Sequence, residues 1–117
     1  MEIQLCMRTT AMLISCRTQS GTLHSHEINS IERLTDFLNF YQALDYDLQI
    51  NQVQYRFKQT GRCGRKEFPK IILEKSGYAL TTELTLTQIS DLEYFLQQHP
   101  ANTYYLEIDT GIYQLSN

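Results

Sequence analysis

Hydrophobic and polar positions along the 117-residue chain alternate with a period of two over most of its length and switch twice to a helical spacing. Ile3, Leu5 and Met7 fall on one side of the stretch 2–8, which predicts a strand. Residues 11–19 and 22–28 are two more strand candidates. Ser20-Gly21 is the turn between them, because glycine accepts positive φ at little cost. From about 30 to 44 the spacing becomes helical: Ile31, Leu34, Leu38 and Tyr41 make a stripe that Phe37 widens. Asn29 stands where a cap is needed, and Glu32 three residues on completes a capping box. Strands resume over 46–51 and 53–60, where Leu48-Ile50 and Val53-Tyr55-Phe57 alternate.

The second half reads in a similar way. Gly61-Arg62-Cys63-Gly64-Arg65 is a loop with two glycines. A strand follows over 68–75 around Ile71, Ile72 and Leu73. Pro69 lacks a donor, so this strand starts there or lies at an edge. Ser76-Gly77 repeats the Ser20-Gly21 turn and leads into a strand over 78–86. A helix over about 88–99 is capped by Thr87 and ended by Pro100. Strands over 104–109 and 112–115 close the chain as a hairpin around Asp109-Thr110-Gly111.

These two halves also match residue by residue. Laid over 31–57 without gaps, 89–115 pairs Ile31 with Ile89, Leu34 with Leu92, Phe37 with Phe95 and Leu38 with Leu96. It then pairs Ala43 with Ala101, Tyr46 with Tyr104, Leu48 with Leu106, Ile50 with Ile108 and Tyr55 with Tyr113. That is roughly nine identities, where unrelated segments give about one or two. The inferred order is β-β-β-α-β, then β-β-β-α-β-β. Helices with one apolar stripe need a sheet to cover, and half-buried antiparallel strands offer one. The expectation is a single domain over 1–117. It would be a two-layer α+β fold, an antiparallel sheet covered by two helices. Two tandem βββαβ-like repeats, about 1–60 and 61–117, would build it with pseudo-two-fold symmetry.

Composition changes this picture little, but charge does. The apolar fraction is ordinary and aromatics are plentiful, as in globular chains. The net charge of −3 hides an uneven distribution. Residues 53–75 carry roughly +5 and the remainder roughly −8. The three cysteines Cys6, Cys16 and Cys63 are odd in number and lack C-x-x-C spacing. They point to a reducing, cytoplasmic compartment. The first eight residues do not resemble a signal peptide, and no apolar run reaches the length of a membrane span.

Candidate chemistry is sparse. His24 and His26 project from the same side of a strand, and Cys16 could join them across the turn to bind zinc. The aligned residues of the other half are Thr82 and Leu84, which instead suggest packed histidines and no metal. Cys63 sits among Arg62, Arg65 and Lys66, which would favour a thiolate, but no base is placed beside it. Asp45 and Asp47, like Glu107 and Asp109, alternate at strand ends where solvated acids are common. No phosphate loop, dinucleotide fingerprint or nucleophile elbow is present, so no enzymatic activity and no cofactor are expected.

The basic segment remains. On a strand, Arg56 and Lys58 share one face while Tyr55 and Phe57 share the other. Arg62, Arg65, Lys66 and Lys70 extend the positive charge. Together these six would contact a partner. The expectation is an adaptor or inhibitor that recognises another protein, for instance in a nucleic-acid-handling complex. Direct nucleic-acid binding is the alternative. It is weakened by the acidic remainder of the chain and by aromatics that point away from the cations. No membrane partner is expected, and exposed sheet edges would allow a homodimer.

Overall fold

The computed structural model describes residues 11–61, 70–75, 77–101, 103–108 and 111–116, with 79 and 81–84 described in backbone alone. The first half contains β1 (Met12–Arg17), β2 (Leu23–Ile28), α1 (Ile31–Phe40), β3 (Asp45–Ile50) and β4 (Val53–Gly61). The second contains β5 (Lys70–Lys75), β6 (Tyr78–Thr85), α2 (Ile89–Gln98), β7 (Thr103–Ile108) and β8 (Gly111–Ser116). All the strands join one eight-stranded sheet in the order β2-β1-β3-β4-β8-β7-β5-β6. Every pairing is antiparallel. The strand expected over 2–8 lies outside the described residues.

The expected two-layer α+β architecture is corrected by this arrangement. The chain is mostly strand, and two helices do not cover the sheet as a layer. Each helix has ten residues, which makes it about 15 Å long. Eight strands about 4.8 Å apart span roughly 34 Å. The repeating unit is corrected too. The described elements run ββαββ in each half, not βββαβ. Adding four to each strand number turns β2-β1-β3-β4 into β6-β5-β7-β8, and the two sets meet at β4 and β8.

The first helix is shorter than its apolar stripe suggests, and the reason is local. Tyr41 leaves the helix with extended backbone. The Tyr46 hydroxyl donates to the Tyr41 carbonyl at 2.7 Å and accepts from the Ala43 N–H at 3.0 Å. That buried phenol holds the chain in a turn where further helix would otherwise form. Tyr104 does the same after α2, donating to the His99 carbonyl at 2.6 Å. The helix starts also differ slightly from expectation. Ser30, not Asn29, caps α1, its hydroxyl accepting from the Arg33 N–H at 3.1 Å. At α2 the Asp91 carboxylate gathers the Thr87 and Gln88 N–H groups and the Thr87 hydroxyl. These bonds hold its pKa below the usual carboxylate value.

One core cluster takes in alternate residues of the sheet and both helical stripes. Met12, Ile14 and Cys16 of β1, Tyr46, Leu48 and Ile50 of β3, and Phe57 of β4 all face it. So do Ile71 and Leu73 of β5, Tyr104, Leu106 and Ile108 of β7, and Tyr113 and Leu115 of β8. Each helix adds four buried residues at helical spacing, Ile31, Leu34, Phe37 and Leu38 or Ile89, Leu92, Phe95 and Leu96. A side chain of this kind contributes roughly 1.5–3 kcal/mol when fully buried. Where β4 meets β8 the backbones crowd. A Cβ on Gly111 would stand 2.6 Å from the Gly61 carbonyl oxygen and 2.9 Å from Gln59 Nε2. Only glycine fits there without a shift of the backbone.

Two stability outcomes are expected. Tyr46→Phe deletes the hydroxyl that bridges Tyr41 and Ala43, and should cost about 1–3 kcal/mol in urea denaturation. Burial pushes the Tyr46 phenol up to about 12 in the folded chain, against roughly 10 when unfolded. Its contribution is therefore complete below about pH 10 and is lost as pH rises towards 12. In Tyr46→Phe this alkaline loss should be shallower. Gly111→Ala should destabilise by about 1–3 kcal/mol through overpacking, measured in the same way.

Candidate functional site

The alternation that buries one face of the sheet leaves the other facing solvent. On β4, Phe57 points into the core, so Arg56 and Lys58 point out. On β3, Tyr46 and Leu48 point in, so Asp45 and Asp47 point out. Antiparallel pairing sets Lys58 opposite Asp45 and Arg56 opposite Asp47. Arg56 Nε donates to Asp47 Oδ1 at 3.2 Å, with the two side chains 70% and 55% exposed. So open an ion pair fixes a pattern of charge but adds little to stability.

The same row continues across the junction between the halves. Lys58 lies opposite Gln114 of β8. Gln114 lies opposite Tyr105 of β7, and Tyr105 opposite Ile72 of β5. Asp45, Lys58, Gln114, Tyr105 and Ile72 therefore form one line over five adjacent strands. Tyr105, Ile72 and Gln114 are half-buried. Beside them Lys70 faces Glu107, which in turn faces Ile112.

Of the six expected contact residues, Arg56 and Lys58 stand together on β4. Lys70 is on the same face but three strands further on, beyond β8 and β7. Arg62, Arg65 and Lys66 lie outside the described residues, as do Cys6, Cys63 and Asp109. Sequence reasoning missed that Asp45 and Asp47 stand against the two β4 cations. A signal for this was present. Residues paired across a two-residue turn at Asn51-Gln52 have numbers that mirror about it, as 47 mirrors 56. Asn51 and Gln52 both take positive φ there, as a tight hairpin turn requires.

The other candidates find different settings. Cys16 lies opposite His24, and Ile14 opposite His26. The His24 ring stacks on Tyr41 at 4.2 Å, and His26 meets the edge of Phe37 at 5.3 Å. His24 is half-buried and His26 exposed, so neither is a core residue. Among the described residues, no three of His, Cys, Asp and Glu come together in a group able to hold a metal. Cys16 faces Tyr46 as Leu73 faces Tyr104, so the thiol occupies an apolar position. Burial pushes its pKa up, which keeps it protonated. A groove of about 530 Å³ curls round the strand ends beside it, with Arg17, Leu23, Leu44, Asp45 and Arg56 in its lining. None of the described helices is long and apolar enough to cross a membrane.

Comparison of the chain with protein-family models, curated proteins and solved structures finds no match. The double substitution Asp45→Asn with Asp47→Asn tests the view that these charges shape a surface rather than hold the fold. The folding free energy should stay within about 1 kcal/mol in urea denaturation.

Proposed function

We propose that this chain is a non-enzymatic recognition domain that binds another protein, as an adaptor or an inhibitor, through the face of the sheet turned away from the helices. The observation that carries this reading is the row from Asp45 through Lys58, Gln114 and Tyr105 to Ile72. Tyr105 and Ile72 supply rigid apolar area at the β7–β5 end of the row, beside Lys70 and Glu107, while Asp45 and Lys58 carry both signs of charge at the other end. Alternating charge selects a partner with the complementary alternation and speeds the encounter. Nucleic acid calls for the opposite design, in which cations pool so that phosphate sheds its counterions. Arg56 and Lys58 do not pool, since each has an acid opposite it.

Capture from lysate of the source cell tests the reading. Wild type should retain a protein that is lost with the double variant Arg56→Glu, Lys58→Glu. Tyr105→Ala should weaken it about thirtyfold, as truncation of a tyrosine that anchors an interface does. Tyr94→Ala, an exposed change on α2, should retain it. Retention by every variant would remove the open face from consideration. Steeply salt-dependent retardation of a short DNA duplex by wild type would replace this reading with direct nucleic-acid binding.

A further inference from the structure

The two halves share a scaffold, so what one half has in addition is not required by that scaffold. The Phe37–Tyr41 ring pair at 4.8 Å has its counterpart in Phe95–His99 at 4.8 Å. The tyrosine bonds that close each helix also correspond. Three further rings of the first half have no such counterpart. Phe40 aligns with Gln98, and His24 and His26 hold the ladder positions that Leu80 and Leu84 hold in the second half. These extra rings converge on Tyr41. His24 stacks on it at 4.2 Å, His26 lies 5.8 Å away, and Phe40 stands at 88° to it at 4.8 Å. Phe40 is 77% exposed, so its ring is open to a ligand.

Between β2 and the end of α1 lies a concavity of about 240 Å³, lined by His26, Phe37, Phe40 and Tyr41 together with Glu27, Asp36 and Arg33, while His24 backs Tyr41 from outside that lining. Its carboxylates exceed its guanidinium by one. Neither Glu27 nor Asp36 makes an ion pair or side-chain hydrogen bond among the described residues. The volume falls below the roughly 300–1,000 Å³ of sites for drug-sized molecules.

We propose that this concavity binds a quaternary ammonium group. Aromatic faces carry negative potential, so perpendicular rings make a corner that attracts a cation. Methyl groups on the nitrogen fill the apolar walls, and they spread the charge so that little hydration is lost on entry. The lining's one net negative charge adds longer-range attraction and selects against an uncharged group of equal shape. The opening accepts a headgroup and leaves the rest of the bearer outside. A free small molecule, a trimethylated lysine side chain or a choline lipid could each present that group.

Proton NMR with choline tests the proposal. The choline methyl signal should move upfield under the ring currents and saturate. The uncharged carbon analogue 3,3-dimethylbutan-1-ol should bind at least about fivefold more weakly. Phe40→Ala should weaken choline about fivefold with an unchanged backbone spectrum, and Phe40→Trp should restore it. Equal binding of choline and its analogue would overturn the proposal, as would no saturable shift in wild type or an unaltered affinity in Phe40→Ala. Two further arms identify the bearer. A trimethyllysine peptide is compared with the same peptide carrying plain lysine, and phosphatidylcholine vesicles with phosphatidylglycerol vesicles. Preference for the methylated member of either pair supports the site and names its source. Choline binding with neither preference assigns a free ammonium compound.

Discussion

The structure depends on the pairing of β4 with β8. Among the described residues it is the one strand contact that joins the first four strands to the last four. Its ladder sets Phe57 opposite Leu115 and Arg56 opposite Ser116. Three rings meet where it forms: Tyr46 stacks on Phe57 at 5.0 Å, and Tyr113 approaches both edge-on at 5.5 and 6.0 Å. Offset and edge-on contacts of this kind add about 0.5–1.5 kcal/mol per pair beyond the area they bury. The junction thus supplies both the hydrogen bonds and the aromatic centre of the core. It also explains Gly111, whose missing side chain lets the two backbones approach.

Everything on the open face follows from that junction. Because the side-chain period along a strand is two, turning Phe57 and Tyr113 inward turns Lys58 and Gln114 outward. The polar row therefore runs unbroken from one half to the other. Neither half alone presents Lys58 beside Gln114. The pairing of acids with cations has a second effect, since interleaved charge keeps a broad solvent-facing sheet from adhering to its own kind.

The halves differ where the shared scaffold leaves room. Cys16 takes the place that Leu73 fills in the second half, and packs as a small apolar residue. Phe40 and the two histidines gather rings around Tyr41 where the other half has polar or aliphatic residues. A common backbone thus carries a plain helix end in one half and an aromatic corner in the other. The bond from each tyrosine hydroxyl to the carbonyl at the helix end holds both turns in place.

The sequence by itself determined most of the local elements and their inward faces. Leu48-Ile50 and Tyr104-Leu106-Ile108 announce strands, and the spacing from Ile31 to Leu38 announces a helix. Hydrophobic period is a local property, written within a few residues. It also showed the position-by-position match of 31–57 with 89–115. It overstated the helical share, because the stripe reaches Tyr41 while the Tyr46 hydroxyl, five residues on, holds the Tyr41 carbonyl in a turn and the helix ends at Phe40. Only the folded chain decided the strand order and the mostly-strand character of the whole. Only it brought His24 and His26 of β2 against Tyr41 and Phe37 at the end of α1. Such juxtapositions depend on register and on contacts between residues far apart in the chain, and no pattern along a single segment encodes them.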